Sequence, residues 1–187
     1  NYEDSNYKFI AKGMRDTQGG TYYKKANILL MTEHGPQGGD EINSLKLEEF
    51  DNYENFGWPI ATYGKIEYIK IPENKFDADD INNHSINGFK EPLYWFRGNS
   101  VAPSNIVNVD GFKDDYSFDF FMSSMGNTPA PGRRAIHHVK FDKNFKKVVY
   151  SDVIPIGERI RDIIYLENEK KVVLLLENSP SIAVIEN

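Results

Sequence analysis

The sequence predicts an all-β fold, on three observations. Short apolar or alternating runs recur along the whole 187-residue chain, and clusters of Gly, Pro, Asn and Asp separate them. No window sustains a 3.6-residue apolar stripe with caps at its ends.

In chain order the first run is "YKFIA", followed by "NILLMT", which stops against the dense turn cluster "HGPQGGD". "LKLEEF" reads as one helical turn, too short to count against a β fold. "KIEYIKI" is followed by the polar stretch "DADDINNHSING", which separates it from the aromatic run "PLYWF". "NIVNV" and "SFDFFMSS" come next, and "GNTPAPGRR" divides them from "AIHHVKF". The last four runs, "KKVVYSDVI", "RIRDIIYL", "KKVVLLLE" and "SIAVIE", complete a series in which every member has strand length.

An internal echo refines the class. "RDTQGGTYYKKANILLMTE" and "RDIIYLENEKKVVLLLE" both start with Arg-Asp, pass through a Tyr and a Lys-Lys pair, and end in an apolar strand closed by Glu. A recurring strand unit points to a propeller or a solenoid rather than a sandwich, and at roughly 40–50 residues per blade the length alone would suit about four blades.

Composition excludes several function classes. The chain has 22 basic and 28 acidic residues, a net charge of −6 and no dense Lys/Arg run, so it lacks the basic footprint that nucleic acid requires. No apolar stretch approaches the roughly 20 residues of a membrane span, and "NYEDSNYKF" has neither the basic nor the apolar region of a secretory signal. The absence of an initiator Met leads to the expectation that the chain begins partway into a longer product. With no cysteine, disulfide and thiolate chemistry are excluded.

The chemistry concentrates in "MTEHGPQGGDEIN", residues 31–43, where an ordinary hairpin would need only about two to five turn residues. Followed by "NFGWP", this segment resembles the central signature of the soluble quinoprotein glucose and aldose sugar dehydrogenases, the glucose/sorbosone dehydrogenase family. "GMRDTQGG", "NHS", "SVAPSN" and "GERIRDI" are similar to further elements of that family and stand in the family's order. The resemblance implies a six-bladed β-propeller of antiparallel four-stranded blades, of which this chain, as a single domain over residues 1–187, is the C-terminal part. It also implies a periplasmic or secreted enzyme that oxidises aldose sugars with the quinone PQQ and calcium, the remaining blades coming from the same or another chain, with a homo-oligomer possible.

Particular residues follow from the resemblance. The Gly35 and Pro36 carbonyls are expected to ligate the calcium that holds PQQ, and Asp40 and Glu41 to lie near a second, structural calcium; Ca²⁺ takes six to eight oxygens, and a Gly-Pro turn can present bare carbonyls. Without the family, Asp40 and Glu41 read as loop caps on a solvated face. Arg159 and Arg161, two apart in a strand, share a face while Ile160 points into the core, and paired guanidiniums suit the carboxylates of PQQ. Their alternative is a surface ladder with Glu158 and Asp162. Arg15 matches a cofactor-facing arginine, Asp16 stands where the family has asparagine, and Trp95 falls in a stretch that contacts substrate. The catalytic histidine belongs to an upstream blade, and His34, His84, His137 and His138 read as structural. Where the family has a PQQ-binding lysine, this chain has Met125 or Gly126. The alternative function is a non-catalytic propeller that binds carbohydrate or a partner protein, or a structural β-domain that assembles with another chain.

Overall fold

The computed structural model describes residues 7–65, 83–98, 100–128 and 130–186. The expected strand "KIEYIKI", apart from Lys65, and the "DADDIN" part of the polar loop lie outside them.

The described residues form three antiparallel sheets in sequential order, which is the blade arrangement of a β-propeller. The first blade contains β2 (Thr17–Tyr23), β3 (Ile28–Glu33), β4 (Glu41–Lys46) and the short β6 (Tyr94–Trp95). The second contains β7 (Pro103–Asn108), β8 (Asp119–Ser124), β9 (Ala135–Phe141) and β10 (Val148–Pro155). The third contains β11 (Ile160–Leu166), β12 (Lys171–Leu176) and β13 (Ser181–Glu186). A parallel pair, β1 (Ala11–Lys12) with β5 (Glu54–Asn55), flanks the first blade, and α1 (Asn83–Ile86) is one helical turn.

The echo in the sequence is the repeated hairpin that opens a blade. β2 pairs with β3 from Tyr23 opposite Ile28, and β11 pairs with β12 from Leu166 opposite Lys171, so both Lys-Lys pairs sit at the hairpin bend. β2 and β7 are neighbours across blades, as are β7 and β11. The approach of β2 to β7 explains why β2 carries Gly19: a Cβ there would lie 2.5 Å from the Ser104 carbonyl and 2.8 Å from the Asn105 Cα. That Gly-Gly pair lies inside the strand.

Apolar layers fill the gaps between blades. Tyr23, Ile28, Leu30 and Ile42 of the first blade meet Ile106, Phe120, Met122, Val139 and Phe141 of the second. Tyr23 and Phe120 pack edge-on with ring centres 5.2 Å apart. Phe121 and Ile136 on the other face of the second blade meet Ile160, Ile163, Val172 and Leu174 of the third. Alternation along β8 and β9 thus gives both faces of the second blade to the core, and all of their residues are buried. The outer faces of the first and third blades differ from each other. Met31, Leu45 and Phe56 are covered by residues 10–14 and by Leu29 and Phe50, whereas Ile164, Ile182 and Val184 of the third blade stand exposed.

Candidate functional site

The turn after β3 is a compact knot. A Cβ on Gly35 would collide with the Gly38 and Gly39 carbonyls, one on Gly38 with Gly98, and one on Gly39 with the backbone at Tyr63–Gly64. The glycines are needed because three stretches of backbone cross there. Asp40, fully buried, ties the knot. Its Oδ1 accepts from the Gly35 N–H at 2.9 Å, and its Oδ2 accepts from Ser100 Oγ, Val101 N and Ala102 N at 2.7, 2.7 and 2.8 Å. Among the described residues neither the Gly35 nor the Pro36 carbonyl accepts a hydrogen bond. Two bare carbonyls at adjacent positions are the kind of oxygen that calcium takes.

Asp40 and Glu41 do not form an acidic pair, because successive residues of extended chain point oppositely. Glu41 turns away from Asp40 to face Glu33, its cross-strand partner on β3. One Asn43 amide bridges the two carboxylates, donating to Glu33 Oε2 at 3.0 Å and to Glu41 Oε2 at 3.1 Å. The Arg15 backbone N–H also donates to Glu33. His84 of α1 stands 3.7 Å from Glu41 Oε1. Burial pushes the Glu33 carboxyl up; the Glu41 carboxyl is raised well above the usual range by burial and then by repulsion from Glu33. Asn43 Oδ1 is buried without a hydrogen bond among the described residues. Two buried acids and an orphaned amide oxygen, walled by Phe56, Trp58 and Thr62, fit a cation chemically.

Beside the knot lies a cleft of about 410 Å³ lined by His34, Ser100, Ala102, Met125, Gly126, Asn127, Arg133 and Arg159. Arg159 reaches it from the start of the third blade, donating through Nε to Glu177 Oε2 at 3.0 Å and through Nη1 to Asn127 Oδ1. Arg161 lies on the same side: its Nε is 2.7 Å from the same Glu177 oxygen and its Nη1 is 3.4 Å from Met125 Sδ. The two arginines meet at one acid, although Arg159 precedes β11 and the register shifts between Ile160 and Asp162, and that acid is Glu177 rather than Glu158 or Asp162. Arg161 is half exposed and outside the cleft lining.

Arg15 and Asp16 sit on the other flank of His34. Arg15 donates to the His34 carbonyl at 3.1 Å and lies over the Trp58 ring, and Asp16 accepts from Gln18 Nε2 at 2.6 Å and stands 3.5 Å from His34 Nδ1. His34 Nε2 is 2.8 Å from the Pro103 carbonyl, so that nitrogen carries a hydrogen. Trp95 lies elsewhere. Tyr63 stacks on one face of its ring at 4.3 Å and the Arg97 guanidinium lies 5.0 Å from its centre. It lines a separate groove with His137 and Val153. His137 and His138 point to opposite sides of β9, toward Gly132 and Asp119 respectively.

The family model for glucose/sorbosone dehydrogenases matches residues 1–183. This chain belongs to that family. It is 37% identical over 103 residues to the aldose sugar dehydrogenase YliI of Escherichia coli strain K12, covering 54% of this chain and 24% of that protein. An uncharacterised protein of Synechocystis is 26% identical over 152 residues, 81% of this chain and 32% of its own length. Among solved structures, the soluble aldose sugar dehydrogenase of E. coli in its apo form superposes with a TM-score of 0.69 at 25% identity, covering 95% of this chain and 47% of that one. A glucose dehydrogenase gives a TM-score of 0.68 at 26% identity over 94% and 44%. The chain thus spans about half of the family structures it matches, and the propeller architecture is theirs. Sequence reasoning missed Glu33, whose place opposite Glu41 depends on strand register, and Arg133, which arrives from a loop with no periodic signal.

Proposed function

We propose that this chain is the C-terminal portion of a PQQ- and calcium-dependent aldose dehydrogenase, periplasmic or secreted as the family reading implies. The reading rests chiefly on one arrangement, the bare Gly35 and Pro36 carbonyls beside a cleft walled by Arg159. In it the two carbonyls hold one calcium ion, and Glu41, with Glu33 opposite, holds a second. Asp40 is not a metal ligand in this proposal, since its oxygens already take four donors. Bound PQQ would supply the hydride acceptor. Arg159 would pair with one of its carboxylates, Arg15 would brace the calcium turn through the His34 carbonyl, and the knot of glycines would keep water and side chains off that turn.

His84, His137 and His138 are buried and face protein groups, and His34, which lines the cleft, is committed through Nε2 to the Pro103 carbonyl and flanked by Asp16, so none is assigned to take a proton from a substrate. The base is therefore assigned to blades beyond this chain. Asp16 favours the second reading, a propeller that binds carbohydrate or a partner protein without redox chemistry, because its carboxylate flanks His34 where the family has a neutral amide. Spectroscopic titration of the intact protein with PQQ and calcium, followed by aldose-dependent dye reduction, tests the choice. A bound quinone that oxidises aldoses supports the dehydrogenase; saturating PQQ with no spectral change leaves the non-catalytic propeller.

A further inference from the structure

We propose that Arg133 is a second anion-binding cation of the cleft beside Arg159, delivered from the loop between β8 and β9 into the space that Gly126 leaves, where it takes a ligand carboxylate. This rests on the quinone reading for the ligand's identity but not for the charge.

Three observations carry it. Arg133's aliphatic stem lies across Gly126: a Cβ there would stand 2.7 Å from Arg133 Cγ and 2.9 Å from its Cβ and Cδ. Gly126 is thus the seat of a cation arriving from seven residues downstream. Second, the guanidinium is fixed by donating from Nε to the Ser100 carbonyl at 2.7 Å and from Nη1 to Thr128 Oγ1, and Nη2 has no acceptor among the described residues. An arginine held by neutral oxygens, with one fork left over, is preorganised for a carboxylate.

Third, the local charges single it out. Arg159 shares Glu177 with Arg161. Arg134 directs Nε and Nη2 to the Gly126 and Asn127 carbonyls, bracing the loop. Arg133 lines the cleft and forms no ion pair among the described residues, in a chain whose net charge is −6.

The test is binding in the intact protein, read by tryptophan fluorescence on titration with PQQ in the presence of calcium. Arg133→Gln should weaken binding at least about tenfold, as losing a desolvated charge pair does, whereas Arg134→Gln should change it less than about threefold. A swap guards against a merely structural effect. Gly126→Lys alone should lower the melting temperature by colliding with the Arg133 stem, and combined with Arg133→Ala it should recover most of the binding. PQQ binding that is indifferent to Arg133→Gln overturns the inference and leaves the quinone reading standing. If the wild type does not bind PQQ, benzene-1,3,5-tricarboxylate is the second probe. Thermal protection by it that vanishes in Arg133→Gln upholds the inference and sinks the quinone reading; no protection in the wild type sinks both.

Discussion

Asp40 and Glu41 are consecutive residues that face opposite sides of the first blade: Asp40 accepts four hydrogen bonds from Gly35, Ser100, Val101 and Ala102, while Glu41 meets Glu33 across the strand pair. One acid closes the calcium turn onto the second blade. The other creates a buried concentration of negative charge.

Asp40→Ala would leave four donors without their acceptor in a fully buried place, at a cost of about 3 kcal/mol or more, since hydrogen bonds to charged groups are the strong ones. Asp40→Asn should cost less, because one oxygen remains. In denaturant melts of the intact protein, both losses should be the same with and without a calcium chelator. A chelator-dependent loss would return Asp40 to the metal.

The sequence displayed this division poorly, and the reason is register. Runs such as "AIHHVKF" and "KKVVLLLE" declare themselves as strands by their β-branched and aliphatic residues at strand length, the first buried on both faces and the second at alternate positions. β2 and β4 were hidden, β2 by the Gly-Gly pair that lets it lie against β7, and β4 by polar residues directed at Glu33 and the knot. Alternation predicts a shared face for Arg159 and Arg161, but Arg159 precedes β11 and a register shift follows Ile160, so what joins them is a common acid. That acid, Glu177, was not legible, since it depends on how β11 and β12 are aligned. Nothing in "PLYWF" reveals that Tyr63 stacks on Trp95, because that contact joins distant parts of the chain.

The acids opposite each other give a pH dependence of unusual sign. The Glu33 and Glu41 carboxyls are raised in the folded state by burial, so without a cation the native protein binds more protons than the unfolded chain. Their contribution to stability is fully present below the ordinary glutamate value and is lost as pH rises through the raised folded-state values. Chelated protein should therefore melt at falling temperature as pH climbs from about 4.5 toward neutrality, where 4.5 is the ordinary glutamate value. Glu41→Gln should flatten that slope, and calcium should reverse it at neutral pH by replacing the protons. A pH profile unaffected by either change would remove the cation from this site.

The third blade supplies a test of completeness. Ile182 is 70% exposed, Val184 52% and Ile164 43%, and all three lie on its outer face. Register puts Ile164 beside Val173 and Val184, so they form one apolar strip. Residues 1–187 expressed alone should associate or aggregate through that strip, and size-exclusion chromatography with light scattering should show species larger than 21.5 kDa. Ile182→Lys with Val184→Lys should restore solubility. A cooperatively melting monomer of the unaltered 187-residue chain would mean that this face needs no neighbouring blade.

Glu177 offers the sharpest separation between charge and scaffolding at the arginine wall. Its carboxylate is held below the usual range, first by the hydrogen bond from Arg159, and it neutralises part of both Arg159 and Arg161. Arg159→Ala removes one of the two arginines that line the cleft, and PQQ affinity should fall at least about tenfold. Arg161→Ala should cost less, because that guanidinium is half exposed and outside the lining. If the wall works by charge, Glu177→Gln should leave anion affinity unchanged or raise it, because two guanidiniums lose their competing carboxylate. If the wall works only by holding Arg159 in place, Glu177→Gln should weaken binding as Arg159→Ala does. Titrations at two salt concentrations distinguish the cases: a charge effect shrinks as salt screens it, and a positional one persists.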